Sequence, residues 1–156
     1  MNTSIDASLM RSSGYSIPQS VIAFGETLVD QFRDHNVLGG APFNVACHLV
    51  AMGSHPVLVT RAGKDDLGDQ LLQAMETRGL DRRGVQRDPG RPTGRVKVTE
   101  TERGHSFRIL SNQAYDYIHA SLARMVGMSV HPRMVYFGTL SQRGNSRRAL
   151  RELLGT

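Results

Sequence analysis

Tryptophan is absent from this 156-residue sequence, and Cys47 is its only cysteine. One thiol forms neither an internal disulfide nor a multi-cysteine zinc site, and it fits a reducing cytoplasm, the compartment expected here. No apolar run approaches the roughly 18 residues of a membrane helix, so no membrane association is expected. Residues 1–20 carry Asp6 and Arg11 but no apolar core of signal-peptide length, so nothing suggests export. The common catalytic signatures are missing too. Gly63-Lys64 is followed by Asp65, and position 58 is Leu, which excludes a P-loop. No G-x-G-x-x-G follows the first apolar run, which argues against a dinucleotide-binding oxidoreductase. Neither H-E-x-x-H nor G-x-S-x-G occurs, and the six histidines are scattered. Lysine is nearly missing: of 19 basic side chains only Lys64 and Lys97 are lysines, leaving seventeen arginines, and the formal net charge is +5.

What is present is enough chain for one compact domain. Residues 1–20 are polar and aperiodic and read as a mobile tail. Val21, Ile22, Ala23 and Phe24 are continuously apolar, as in a strand buried on both faces. Residues 28–32 read as a second short strand. Gly39 and Gly40 then break the chain, and Ala41-Pro42 opens a helix, with proline in the first turn where its missing N–H does no harm. Val45, Leu49 and Met52 keep helical spacing until Gly53, with Pro56 soon after as a stop signal. Residues 57–59 read as a buried strand, and Asp65 or Asp66 is placed to cap a second helix ending at Gly79. Strand, helix, strand, helix implies a parallel α/β sheet with right-handed crossovers.

The pattern then changes. Residues 93–99 alternate, with Arg95, Lys97 and Thr99 on one face and Gly94, Val96 and Val98 on the other. Residues 101–104 read as a turn and residues 106–110 alternate again, which predicts a hairpin with one wet face, standing off the sheet as a flap. A helix over 120–126, a buried strand over 134–137 and a last helix capped by Asn145 complete the expectation.

One stretch gathers the chemistry: Gly25-Glu26-Thr27-Leu28-Val29-Asp30, then Gly39-Gly40-Ala41-Pro42-Phe43-Asn44. Asp30 offers two acceptor oxygens and Asn44 a donor and an acceptor on one amide. Gly39 and Gly40, lacking Cβ atoms, let a ligand approach the backbone. Asn44 falls in a first helical turn, beside unpaired N–H groups. Ligands of open α/β sheets sit at strand ends. Together these residues suit a neutral, polyhydroxylated molecule.

Gly39-Gly40-Ala41-Pro42-Phe43-Asn44-Val45-Ala46, with Gly53 nine residues after Asn44, resembles the first signature of the PfkB-type carbohydrate kinases, the ribokinase-like family. Gly25-Glu26-x-Leu28-x-Asp30 resembles that family's first strand and sugar-binding aspartate. Gly63-Lys64-Asp65-Asp66-Leu67-Gly68 is similar to its Gly-x-Asp-x-x-Gly segment, and Thr93-Gly94 to the start of its lid. The resemblance implies a ribokinase-like parallel sheet with flanking helices over residues 21–156, the N-terminal part of the family domain, with a small β-hairpin lid from segments 28–38 and 93–110. It implies ATP-dependent, Mg2+-assisted transfer of a phosphoryl group to a sugar hydroxyl. Asp30, Gly39, Gly40 and Asn44 would bind the sugar, with Phe107 or Arg108 reaching it from the lid. Glu26, Asp30 and the Gly-Gly-Ala-Pro run lean toward fructokinase-like members.

The catalytic aspartate of the family lies in a Gly-Ala-Gly-Asp segment that this sequence does not contain. The base, ATP and Mg2+ are therefore expected beyond Thr156, no catalytic residue is assigned within the chain, and the chain alone is expected to be nearly inactive. A bare sheet edge should favour self-association, and the lid offers a second route to a homodimer. The arginine runs (Arg78, Arg82, Arg83, Arg87, Arg91, Arg95; then Arg143, Arg147, Arg148, Arg151) read as solvated faces. No aromatics interleave them, so a nucleic-acid partner is not expected. A non-catalytic basic module binding nucleic acid or another anion is the alternative reading.

Overall fold

The computed structural model describes residues 20–101 and 104–155. The expected tail, and the centre of the turn at 102–103, lie outside them. Four parallel strands, β1 (Val21–Phe24), β4 (Val57–Gly63), β5 (Val85–Asp88) and β8 (Met134–Phe137), form one sheet in the order β5-β4-β1-β8. The second sheet has the order β3-β2-β6-β7, built from β2 (Leu28–Gln31), β3 (Asn36–Gly39), β6 (Gly94–Thr101) and β7 (Gly104–Ile109). The helices are α1 (Ala41–Ala51), α2 (Asp66–Thr77), α3 (Ala120–Val130) and α4 (Gly144–Leu154), with a 3-10 turn at Ala114–Tyr117.

Strand alternation divides the core. Ile22, Phe24, Val57 and Val59 face one way and pack with Ala123, Ala149 and Leu150 of α3 and α4. Ala23, Leu58 and Ala62 face the other way and pack with Phe43, Ala46, Leu71 and Met75 of α1 and α2. The central strand β1 is fully buried, as its continuous apolar run requires. Helix α2 begins as its sequence predicts: Asp65 is the N-cap, its Oδ1 accepting from the Gly68 N–H at 2.9 Å.

Several expectations are corrected. β8 is an edge strand rather than a buried one, with Met134 39% and Phe137 41% exposed, because β1 is its only neighbour among the described residues. Asn145 lies inside α4, not at its cap; Arg143 occupies that position without a side-chain cap bond. The Ser146 hydroxyl donates to the Tyr115 carbonyl at 2.6 Å and accepts from the Ile118 N–H at 2.9 Å, which fixes the first turn of α4. The hairpin does not have one dry face along β7, where all six residues are exposed, Phe107 at 59% and Ile109 at 48%. The apolar side chains of β6, Val96 and Val98, are the ones that find cover. Finally β3 and β5 were not foreseen: β5 lies in arginine-rich sequence and buries the polar Gln86 and Asp88.

Candidate functional site

β2 lies between β3 and β6, in antiparallel and parallel register respectively. Asp30 is thereby placed mid-strand, opposite Val37 on one side and Val96 on the other. A Cβ added to Gly39 would sit 3.4 Å from Asp30 Oδ2, so the carboxylate lies against the glycine elbow. Partial burial raises the Asp30 pKa above its ordinary value of 3.8. Among the described residues no hydrogen bond or ion pair compensates it. A carboxylate desolvated without a partner is a poor structural choice and a suitable acceptor for hydroxyl donors.

Gly40 holds φ 106° and ψ 134°, and a Cβ there would come 2.5 Å from the Glu26 carbonyl oxygen. Both the positive φ and the close approach require glycine. The elbow thus lies on the loop between β1 and β2. Asn44 follows in the first turn of α1, its N–H donating to the Gly40 carbonyl at 2.9 Å, while the residue stays exposed. Asp30 and Gly39 are in contact and Gly40 is tied to Asn44, but no hydrogen bond joins Asp30 to Asn44 among the described residues. Two clefts lie on the α3 side of the parallel sheet, and neither includes any of these four residues. Of the four, Asn44 is exposed, Asp30 and Gly40 are half-buried and Gly39 is buried. Phe107 and Arg108 stand exposed on β7.

The structure adds contacts that the sequence did not reveal. The chain runs from β1 outward to β4 and β5, then returns to the other side of β1 as β8. The carboxyl ends of β1 and β8 are therefore a topological switch point, where open α/β sheets bind ligands. Glu26 is 4% exposed there; its Oε2 accepts from the Ser141 hydroxyl at 3.3 Å, and it lies against Gly138, where an added Cβ would come 2.5 Å from Oε2. The Gly-x-Asp-x-x-Gly segment is a clamp. Burial alone would raise the Asp65 pKa, but bonds from the Thr93 hydroxyl (2.5 Å), the Thr93 N–H (2.8 Å) and the Gly68 N–H hold it below the ordinary value. The Thr93 hydroxyl oxygen in turn accepts from the Gly63 N–H at 2.9 Å. One carboxylate thereby ties the end of β4 and the start of α2 to the start of β6.

A parallel sheet with helices on both faces, a second sheet carrying the aspartate, and a two-glycine elbow at a helix start define a ribokinase-like sugar kinase fold. The chain belongs to the pfkB family of carbohydrate kinases, which matches residues 2–154. It is 26% identical over 134 residues to a fructokinase-2 of Zea mays, a match covering 78% of this chain and 40% of that protein. Among solved structures it is similar to a sugar kinase of Pyrococcus horikoshii in complex with ATP (TM-score 0.75, 25% identity, 86% of this chain and 48% of that one). It also shares its fold with Halothermothrix orenii fructokinase (TM-score 0.74, 23% identity, 86% of this chain and 52% of that one). The chain spans about 40% of the length of the maize fructokinase. No helix among the described residues is long and apolar enough to cross a membrane.

Proposed function

We propose that this chain supplies the sugar-binding part of an ATP-dependent, fructokinase-like carbohydrate kinase. The single observation that carries this is the Asp30 carboxylate, half-buried, without a partner among the described residues, and set against the Gly39 backbone. Asp30 accepts hydrogen bonds from two neighbouring hydroxyls of the sugar. Asn44, across the elbow, meets a further hydroxyl as donor or acceptor. Gly39 and Gly40 leave room for the ring to lie on the backbone, and the second sheet acts as a lid that excludes water from the transferring phosphoryl group.

The base, ATP and Mg2+ belong in this proposal to a part of the enzyme beyond Thr156. Support comes from the missing Gly-Ala-Gly-Asp segment and from the fraction of the relatives' length matched. Phosphoryl transfer needs in-line alignment and charge neutralisation, and no residue of this chain is assigned either task. By itself the chain binds sugar weakly and turns over little or none. In this reading the enzyme acts in the cytoplasm, a reducing compartment that suits the single Cys47. Homodimers form through the exposed face of β7 or the edge of β8.

Calorimetry with a panel of hexoses, on the chain joined to its continuation, tests this reading. Fructose should bind with one site per chain, and Asp30→Ala should weaken it at least a hundredfold. Equal binding by the parent and the Asp30→Ala protein would remove the assigned site.

A further inference from the structure

The residues at the α3 and α4 end of the parallel sheet form a second concavity that the sugar site does not use. Its volume is about 440 Å3, and its polar lining includes Arg61, Arg91, Tyr117, His119, Asn145 and Arg148. Alternation along β4 explains its position. Val57, Val59 and Arg61 share one face, so the chain that buries valine against α3 and α4 ends in a guanidinium at the rim of the same layer. The cavity lies beside β4, two strands from the exposed edge of β8.

Three guanidinium groups line this cavity, and two of them, Arg61 and Arg91, share one carboxylate, Asp88. Arg61 is held rigidly: it donates to the Tyr117 carbonyl at 2.6 Å and pairs with Asp88 at 3.0 Å, its side chain 11% exposed. Its Nε–H is buried and has no hydrogen-bond partner among the described residues. Arg91 reaches the same Asp88 at 3.5 Å, and its guanidinium carbon sits over the Tyr117 ring, 3.5 Å from the centroid. That cation–π contact holds the Arg91 guanidinium at the cavity wall. Arg148 has no anionic partner among the described residues. Two helices also begin at the rim. Neither α3 nor α4 has a side-chain cap at its start, so their first N–H groups add to the positive potential. One buried carboxylate leaves this lining with a clear excess of positive charge, on donors suited to bidentate oxyanion contact.

We propose that this cavity is a binding site for a phosphoryl dianion, either free inorganic phosphate or the phosphate of a small phosphomonoester, separate from the sugar site. Its size suits a small molecule, and the Arg91–Tyr117 pair and Asn145 provide a floor and an amide for the remainder of a phosphorylated sugar. Arg148 and Arg91 are the adjustable contacts; Arg61 is the fixed one.

Thermal shift and calorimetry on the full chain, at fixed ionic strength, test this with inorganic phosphate, a hexose 6-phosphate and the unphosphorylated hexose. Either phosphate should raise Tm in a saturable way, and the bare hexose should not reproduce that dependence. A hexose phosphate binding at least tenfold more tightly than phosphate identifies the phosphomonoester as the ligand; equal affinities identify free phosphate. Arg148→Gln and Arg91→Gln should each weaken binding about tenfold, while Arg133→Gln, an exposed arginine not lining the cavity, should leave it unchanged. Equal loss in all three variants, no saturable shift, or an unaltered affinity in both Arg148→Gln and Arg91→Gln would overturn the proposal.

Discussion

At the scale of single residues, the proposed sugar site and protein stability make opposite demands on Asp30. Burial raises its folded-state pKa above 3.8, so its contribution to stability is fully present only below that pH and is lost as pH rises through the raised value. Asp30→Asn should therefore melt at the same or a higher temperature than the parent at pH 7. The difference should vanish below about pH 3.8, and sugar binding should be lost at every pH. Thermal melts across pH 3–8 paired with calorimetry check this, and a lower Tm for Asp30→Asn at pH 7 would contradict it. Gly40 presents the reverse case. Gly40→Ala places a Cβ 2.5 Å from the Glu26 carbonyl oxygen at a positive φ, so it should cost roughly 1–3 kcal/mol by denaturant unfolding.

Among elements, the clamp at Asp65 couples α2 to the second sheet. Its pKa is depressed, so its contribution is present above 3.8 and lost as pH falls through the lower folded value. Asp65→Asn should destabilise the protein by roughly 1–3 kcal/mol at pH 7, combining a weakened N-cap with under-satisfied donors at Thr93 and Gly68. The penalty should shrink in acid. A double-mutant cycle with Thr93→Val should show clear coupling, since the two side chains share a 2.5 Å hydrogen bond. Strict additivity would mean that the start of β6 is held by something else. The Arg61–Asp88 pair is comparable: Arg61→Met leaves buried Asp88 with the partly exposed Arg91 as its one ion-pair partner among the described residues, beside the Gly90 and Arg91 N–H groups, and should cost about 3–5 kcal/mol.

For the molecule as a whole, the open question is what covers its exposed apolar surfaces. Met134 and Phe137 on β8 and Phe107 and Ile109 on β7 are each 39% exposed or more. An unpaired parallel edge and a bare apolar strand both invite association. Sedimentation of the chain should show concentration-dependent self-association. Met134→Lys with Phe137→Lys should reduce it if the β8 edge is responsible, and Phe107→Lys with Ile109→Lys should do so if β7 is. A monomer at all concentrations would refute both routes.

Local chemistry made much of this legible before any coordinates. The apolar run at β1, the proline and glycine around α1, the aspartate cap of α2 and the alternation of β6 are each specified by neighbours in sequence, through φ/ψ preference and side-chain period. The glycine elbow at Gly39 and Gly40 was legible for the same reason, whereas Asp30 and Asn44 were singled out as a pair through the family resemblance. What sequence did not carry was pairing at a distance. β3 and β5 are strands because β2 and β4 offer them partners, and neither has an apolar pattern of its own. β8 reads as buried yet lies at an edge, because burial depends on which neighbour is present rather than on the strand's own residues. The Glu26–Ser141 contact spans 115 residues, and the arginine cavity draws on positions 61, 91 and 148. Sequence thus determined where the chain turns, caps and alternates, which are local free energies. Only the tertiary structure decided which charged groups share one space, because that depends on chain crossovers and strand order.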